Sequence, residues 1–136
     1  MLFDILPDIA GPSLIALLGL GLGTGLVVAL GIVLVEAVVL RLMKWGSFWR
    51  SLLASFVTNL VSSGVGVVLG AVFLVTPQNV LIWVFPAYVA SVAIEGVILV
   101  LFKRGHARQN WLASVVVNAV SYAPIVIILL LLTFSA

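Results

Sequence analysis

EAVVLRLMKWGSFWRSLLASFVTNLVSSG, residues 36–64, and EGVILVLFKRGHARQNWLASVVVNAVSYA, residues 95–123, decide how this chain is read. A shift of 59 positions places Glu36 on Glu95, Leu40 on Leu99, Lys44 on Lys103 and Gly46 on Gly105. The same shift sets Leu53, Ala54 and Ser55 on Leu112, Ala113 and Ser114, and Asn59, Val61 and Ser62 on Asn118, Val120 and Ser121. Apolar residues coincide easily by chance. Coincident Glu, Lys, Gly, Asn and Ser indicate an internal repeat. In each copy an acid set in an apolar run is followed by an asparagine 23 positions later, and after Asp8 these two glutamates are the only acids in the chain.

Around the repeat, composition places the chain in a bilayer. Of 136 residues 65% are hydrophobic and 7% charged, and the mean hydropathy is +1.44. Such a chain cannot present an ordinary charged surface to water. The net charge of +2 rests on six basic residues confined to two short connections. They suit lipid headgroups and give no reason to expect nucleic acid. The absence of cysteine excludes disulfides, thiolate metal sites, prenylation and haem attachment through cysteine. The first apolar run follows Asp4 and Asp8, lacks a basic leader and exceeds an ordinary signal core, so it is expected to remain as an anchor.

Four apolar runs are long enough to cross, at about 20 residues per crossing helix. They cover about Pro12 to Leu40, Ser51 to Val75, Val80 to Phe102 and Trp111 to Phe134. The first exceeds the need and is expected to tilt or project. Thr76, Pro77, Gln78 and Asn79 supply the turn after the second. Pro86 is expected to kink the third or to mark a later start, and Pro124 frees a carbonyl near residue 120 of the fourth. Membrane strands need only about ten residues and alternate polar with apolar, which these runs do not. The expected fold is all-α: a polytopic membrane protein, residues 1–136 forming a single membrane domain. Its four transmembrane helices form two tandem helical hairpins of the same orientation, about 12–75 and 80–134, containing the repeat at 36–64 and 95–123.

Arg41, Lys44 and Arg50 lie between the first and second runs, and Lys103, Arg104 and Arg108 between the third and fourth. These are all the lysines and arginines. Two intervening crossings bring both basic loops to one side, and the positive-inside rule makes that side cytoplasmic, with both termini outside. The expected setting is a multi-pass protein of a prokaryotic plasma membrane. Trp45, Trp49 and Trp111 fit interfacial anchoring, as does Trp83 on the opposite side. Phe3, Ile5, Leu6 and Ile9, interleaved with Asp4 and Asp8, suit a brief surface-lying segment. Because the repeat unit holds two crossings, its copies are parallel, related by rotation about the membrane normal.

Spacing also sets depth. Glu36 precedes Lys44 by eight positions and Asn59 follows Arg50 by nine, so on antiparallel helices both lie roughly 12 to 14 Å from the basic loop. Glu95 and Asn118 repeat this geometry. Gly21, Gly25, Ala29 and Glu36 share a quadrant of the first helix, while Ser55, Asn59, Ser62, Ser63, Gly66 and Gly70 form a small and polar stripe on the second. Tyr88, Ser91, Glu95 and Phe102 align on the third, and Ser114, Asn118, Ser121 and Tyr122 on the fourth.

A charged carboxylate in hydrocarbon is costly, so each glutamate is expected to be protonated, paired or reached by water. One reading makes Glu36, Asn59, Glu95 and Asn118, with Ser62 and Ser121, a proton or cation site. A second makes them glue between helices, worth on the order of 1 kcal/mol per polar contact. A third lets the carboxylates snorkel toward Arg41 or Lys103. The glycines at 19, 21, 23 and 25 lack a basic P-loop continuation and suit close packing. His106 is a loop residue, no metal site is expected, and neither a hydrolytic Ser/His/acid set nor HExxH occurs, so catalysis is not expected.

The sequence therefore suggests a small integral membrane accessory or assembly subunit docking through its small-residue and Glu/Asn faces, in a homo-oligomer or larger complex. The alternative is an oligomeric proton, cation or small-solute transporter or channel using the intramembrane carboxylates. No cofactor is named by the sequence, and lipid or pigment contact is a further use of the same faces.

Overall fold

A computed structural model describes residues 12–73 and 80–134, with side chains for 21–73 and 81–131. The surface-lying segment expected around Phe3 to Ile9 and the turn expected at Thr76 to Asn79 lie outside the described residues. Four α-helices and no strand occur among those described: α1 Pro12–Leu42, α2 Phe48–Val72, α3 Val80–Phe102 and α4 Ala107–Phe134. The shortest has 23 residues. At 1.5 Å per residue it reaches roughly 35 Å, enough to cross the hydrocarbon core.

The helix boundaries follow local chemistry more than apolarity. Pro12 occupies the first position of α1, where its missing N–H has no helical partner to lose. At the other end the Trp45 amide donates to the Leu40 carbonyl and the Lys44 amide to the Arg41 carbonyl, each 3.0 Å. With Lys44 at φ 55°, this is a Schellman stop. Ser47 caps α2, its hydroxyl accepting from the Arg50 amide at 3.4 Å. Thus α2 starts three residues before the apolar run, with Phe48, Trp49 and Arg50 following the Ser47 cap, and α4 starts at Ala107, four before Trp111, because Arg108, Gln109 and Asn110 extend it into the basic connection. Pro86 lies inside α3, which begins at Val80. The later start is not observed. Pro124 lies within α4.

Residues to Ile32 and residues from Val33 onward form separate compact units. In the first, Gly21 to Gly31 are exposed along α1. In the second, Leu40, Trp45, Ala54, Leu99, Ala113 and Val117 form a buried cluster, flanked by Val39, Met43 and Phe102. Leu40 and Leu99, and likewise Ala54 and Ala113, are repeat equivalents that share this core, so the packing is repeat-like. Outside it, large apolar side chains such as Leu60, Val67, Ile82 and Leu131 are exposed. Lipid tails, which are as apolar as these side chains, suit that surface.

Candidate functional site

One helical turn above that core, both repeated acids are buried, each about 2% exposed. Glu36 Oε2 accepts from the Asn59 side-chain amide and from Ser55 Oγ, the latter at 3.0 Å. Its other oxygen, Oε1, accepts from Ser121 Oγ at 2.6 Å. Glu95 Oε2 accepts from Asn118 Nδ2 at 2.8 Å, and Oε1 from Ser62 Oγ at 3.1 Å. Each acid is therefore held by the asparagine of its own copy and by a serine of the other. The sequence equivalence of Ser62 and Ser121 reappears as an exchange of hydroxyls.

The supporting shell repeats as well. Ser55 Oγ lies 3.0 Å from the Val33 carbonyl and Ser114 Oγ 2.8 Å from the Val92 carbonyl. Asn59 Nδ2 also donates to the Ser55 carbonyl at 2.9 Å, and Asn118 Nδ2 to the Ser114 carbonyl at 3.0 Å. Anchoring to the preceding turn fixes each amide so that its second N–H meets the acid. Both hydrogens of each NH2 group are thereby used.

The copies differ on either side of this layer. Toward the basic loops, Trp45 is buried and its Nε1 donates to Asn110 Oδ1 at 2.7 Å. Asn110 Nδ2 donates to the Lys103 carbonyl at 2.8 Å, and Lys103 Nζ donates to the Trp45 carbonyl at 2.7 Å and to Gln109 Oε1 at 2.8 Å. The Arg50 guanidinium lies over the Trp45 ring, 5.7 Å from its centroid, and donates to the Phe102 carbonyl. Trp45 is accordingly a buried clasp between the two basic connections and not the interfacial anchor its position suggests. Trp49 and Trp111 are exposed. Away from the loops, Ser91 Oγ and Tyr122 Oη are 3.1 Å apart, and the Tyr88 and Tyr122 rings meet edge to face at 5.5 Å. Their equivalents in the first copy are Ile32, Ser63 and Ala29, so this hydroxyl layer belongs to the second copy alone.

The structure thus brings together Glu36, Asn59, Ser62, Glu95, Asn118 and Ser121. The basic candidates stand apart: Arg41, Lys44, Arg104 and Arg108 are exposed, while Arg50 and Lys103 serve backbone carbonyls. The hydrogen bonds to the acids come from neutral donors, where snorkelling would bring Arg41 or Lys103. Of the packing candidates, Gly21, Gly25, Ala29 and Gly66 are exposed and Gly70 is half-buried. A Cβ built on any of the four glycines meets nothing within 4 Å. Ser55 and Ser114 act at the site although spacing marks them only as members of a polar stripe. Asn110 carries no signal of its role, because its partner Trp45 is distant in sequence.

Among the described residues no group of three or more His, Cys, Asp or Glu is placed to hold a metal ion, and no catalytic constellation is formed. Neutral hydroxyls and amides around two acids can bind, store or pass a proton. They offer no nucleophile with an adjacent base. The chain is an integral, multi-pass, all-α membrane protein with a buried Glu/Asn/Ser network between its helices. No known protein family, curated protein or solved structure matches it.

Proposed function

We propose that this chain is the protomer of an oligomeric proton transporter or channel in which Glu36 and Glu95 form one proton-handling site. The observation that carries this reading is the burial of both acids in a shared network of neutral donors. Groups with almost no exposed surface do not form a docking face for another subunit, which weighs against a role for the Glu/Asn faces in assembly. Two intramembrane acids are also a costly way to hold helices together when neutral polar residues serve.

The donor pattern favours a proton over a metal cation or a solute. The carboxyl oxygens already accept N–H and O–H bonds from Asn59, Asn118, Ser62 and Ser121, and a bare cation would have to displace them. A proton moves along such bonds by exchange and needs no cavity. In this reading the two hairpins share one orientation, the basic loops face the cytoplasm of a prokaryotic plasma membrane, and both termini lie outside. Four spans make a thin wall, and lateral association of copies completes it.

An accessory-subunit role is the second reading, and the exposed small residues at Gly21, Gly25, Ala29 and Gly66 favour it. They permit close helix approach whichever partner is met. Proton flux into vesicles of purified protein, followed with an internal pH dye under an imposed potential, separates the two. Glu36→Gln and Glu95→Gln each lower flux by about a hundredfold, the low end of what a positioned acid–base group contributes. Unchanged flux together with disrupted association would return the assignment to the accessory subunit.

A further inference from the structure

Ser51 Oγ is the buried side-chain polar atom without a hydrogen-bond partner among the described residues. Ser51 is fully enclosed on α2, one turn on the basic-loop side of Ser55. A hydroxyl buried without a partner lowers stability relative to alanine, so packing alone gives no reason for serine here. Its register supplies one. Ser47, Ser51, Ser55 and Asn59 recur every four residues along one face of α2, leading from the exposed cap to the Glu36 carboxyl.

Ser55 adds a second, independent observation. Its Oγ lies 3.0 Å from two acceptors, the Val33 carbonyl and Glu36 Oε2, and a hydroxyl has one proton to give. It can alternate between them; one of its lone pairs accepts from Asn59 Nδ2 at 3.3 Å, which leaves the other for a donor from the Ser51 side. The second copy is built differently at the corresponding place. Asn110 stands where Ser51 does, and both ends of its amide are occupied, by Trp45 Nε1 and by the Lys103 carbonyl. Ser114 donates to the Val92 carbonyl, and the acid beside it takes its donors from Asn118 and Ser62.

We propose that Ser51 and Ser55 form a proton access route from the basic-loop end to Glu36, present in the first copy and closed in the second by the clasp of Trp45, Asn110 and Lys103. The route rests on the proton-handling reading of the two acids. Transient hydration of this enclosed face brings a proton to Ser51 Oγ, and Ser51 passes on its own proton through the same water to Ser55. Ser55 accepts it while giving its own proton to the Glu36 carboxylate, leaving a neutral carboxylic acid and two intact hydroxyls. Rotation of both hydroxyls resets the route. One proton enters and one is bound.

Vesicle flux combined with thermal unfolding tests the route. Ser51→Ala lowers flux by about tenfold, less than loss of the acid because water partly replaces the hydroxyl, while Tm stays equal or rises. Ser51→Thr restores a hydroxyl and keeps flux within about twofold of the natural protein. Natural flux in Ser51→Ala, measured beside an inactive Glu36→Gln, would overturn the route and leave the proton site standing. Lost flux with a lowered Tm in Ser51→Ala would assign Ser51 a structural role and overturn the route as well. Natural flux in Glu36→Gln would overturn the site itself, and with it the route.

Discussion

Ser121 on α4 donates its hydroxyl to Glu36 on α1 across 2.6 Å, although 85 positions separate them in the chain. Its repeat equivalent, Ser62, donates to Glu95 at 3.1 Å. Two sequence copies thus complete one another: each supplies a carboxyl, the asparagine that meets it from the neighbouring helix and the hydroxyl that donates to the other's carboxyl. An acid whose partners come from both copies reports on their mutual placement.

Removing either exchanged hydroxyl should weaken the joint between copies more than the individual helices. Ser121→Ala is expected to lower stability by about 0.6 to 1.7 kcal/mol, from the average to the largest value measured for side-chain hydrogen bonds between membrane helices. In a double-mutant cycle Ser121→Ala should couple more strongly with Glu36→Gln than with Glu95→Gln, whose acid sits in the same network but takes its hydroxyl from Ser62. Unfolding in bicelles measures all four corners. Equal coupling to both acids would contradict the exchange.

Gly96 carries a packing prediction. A Cβ at Gly96 would lie 2.5 Å from Cε3 and Cζ3 of the Trp111 ring. In the first copy the equivalent positions are Ala37 and Leu52, so a larger residue on one helix goes with a smaller one on the other. Gly96→Ala should therefore cost about 1 to 3 kcal/mol, nearer the lower value because the half-exposed Trp111 can swing outward. Adding Trp111→Leu should recover most of the loss. A double variant no more stable than Gly96→Ala would show that the two copies do not share this volume rule.

Lys44 adopts φ 55°, the only non-glycine residue with positive φ among those described. Its side chain is exposed. The conformation is imposed by the stop of α1, where the amides of Lys44 and Trp45 turn back to Arg41 and Leu40. Glycine tolerates this region without the Cβ contact, so Lys44→Gly should raise stability by about 1 kcal/mol. A lower Tm in detergent would show that the lysine makes a compensating contact.

Why some of this was legible in the sequence and some was not can be seen at particular residues. The pairings of Glu36 with Asn59 and of Glu95 with Asn118 follow from counting outward from the basic connections, since depth along antiparallel helices depends only on residue number. The four helices follow from run length. Spacing also marks Ser62 and Ser121, but which acid each serves depends on how the copies face one another, and no local pattern encodes that. Trp45 misleads for a similar reason. A tryptophan beside lysine and arginine reads as an interfacial anchor, yet the groups that bury it, Asn110 and Lys103, come from the other connection. Arg50 in the first turn of α2 and Arg108, Gln109 and Asn110 in that of α4 interrupt the apolar runs, so hydropathy starts both helices late.

The Trp45 clasp predicts a stability effect remote from the acids. Trp45→Phe keeps an aromatic ring under Arg50 but removes the donor to Asn110 Oδ1, leaving a buried carbonyl oxygen without that bond. The expected loss is about 1 to 3 kcal/mol. Asn110→Leu in the same background should cost less than it does alone, because it replaces an amide already deprived of its indole partner, although the Lys103 carbonyl still loses a donor. Reversible unfolding of the two single variants and the double variant gives the coupling. Strict additivity would mean that Trp45 is held by its ring packing alone, and that the two basic connections are not fastened through this hydrogen bond.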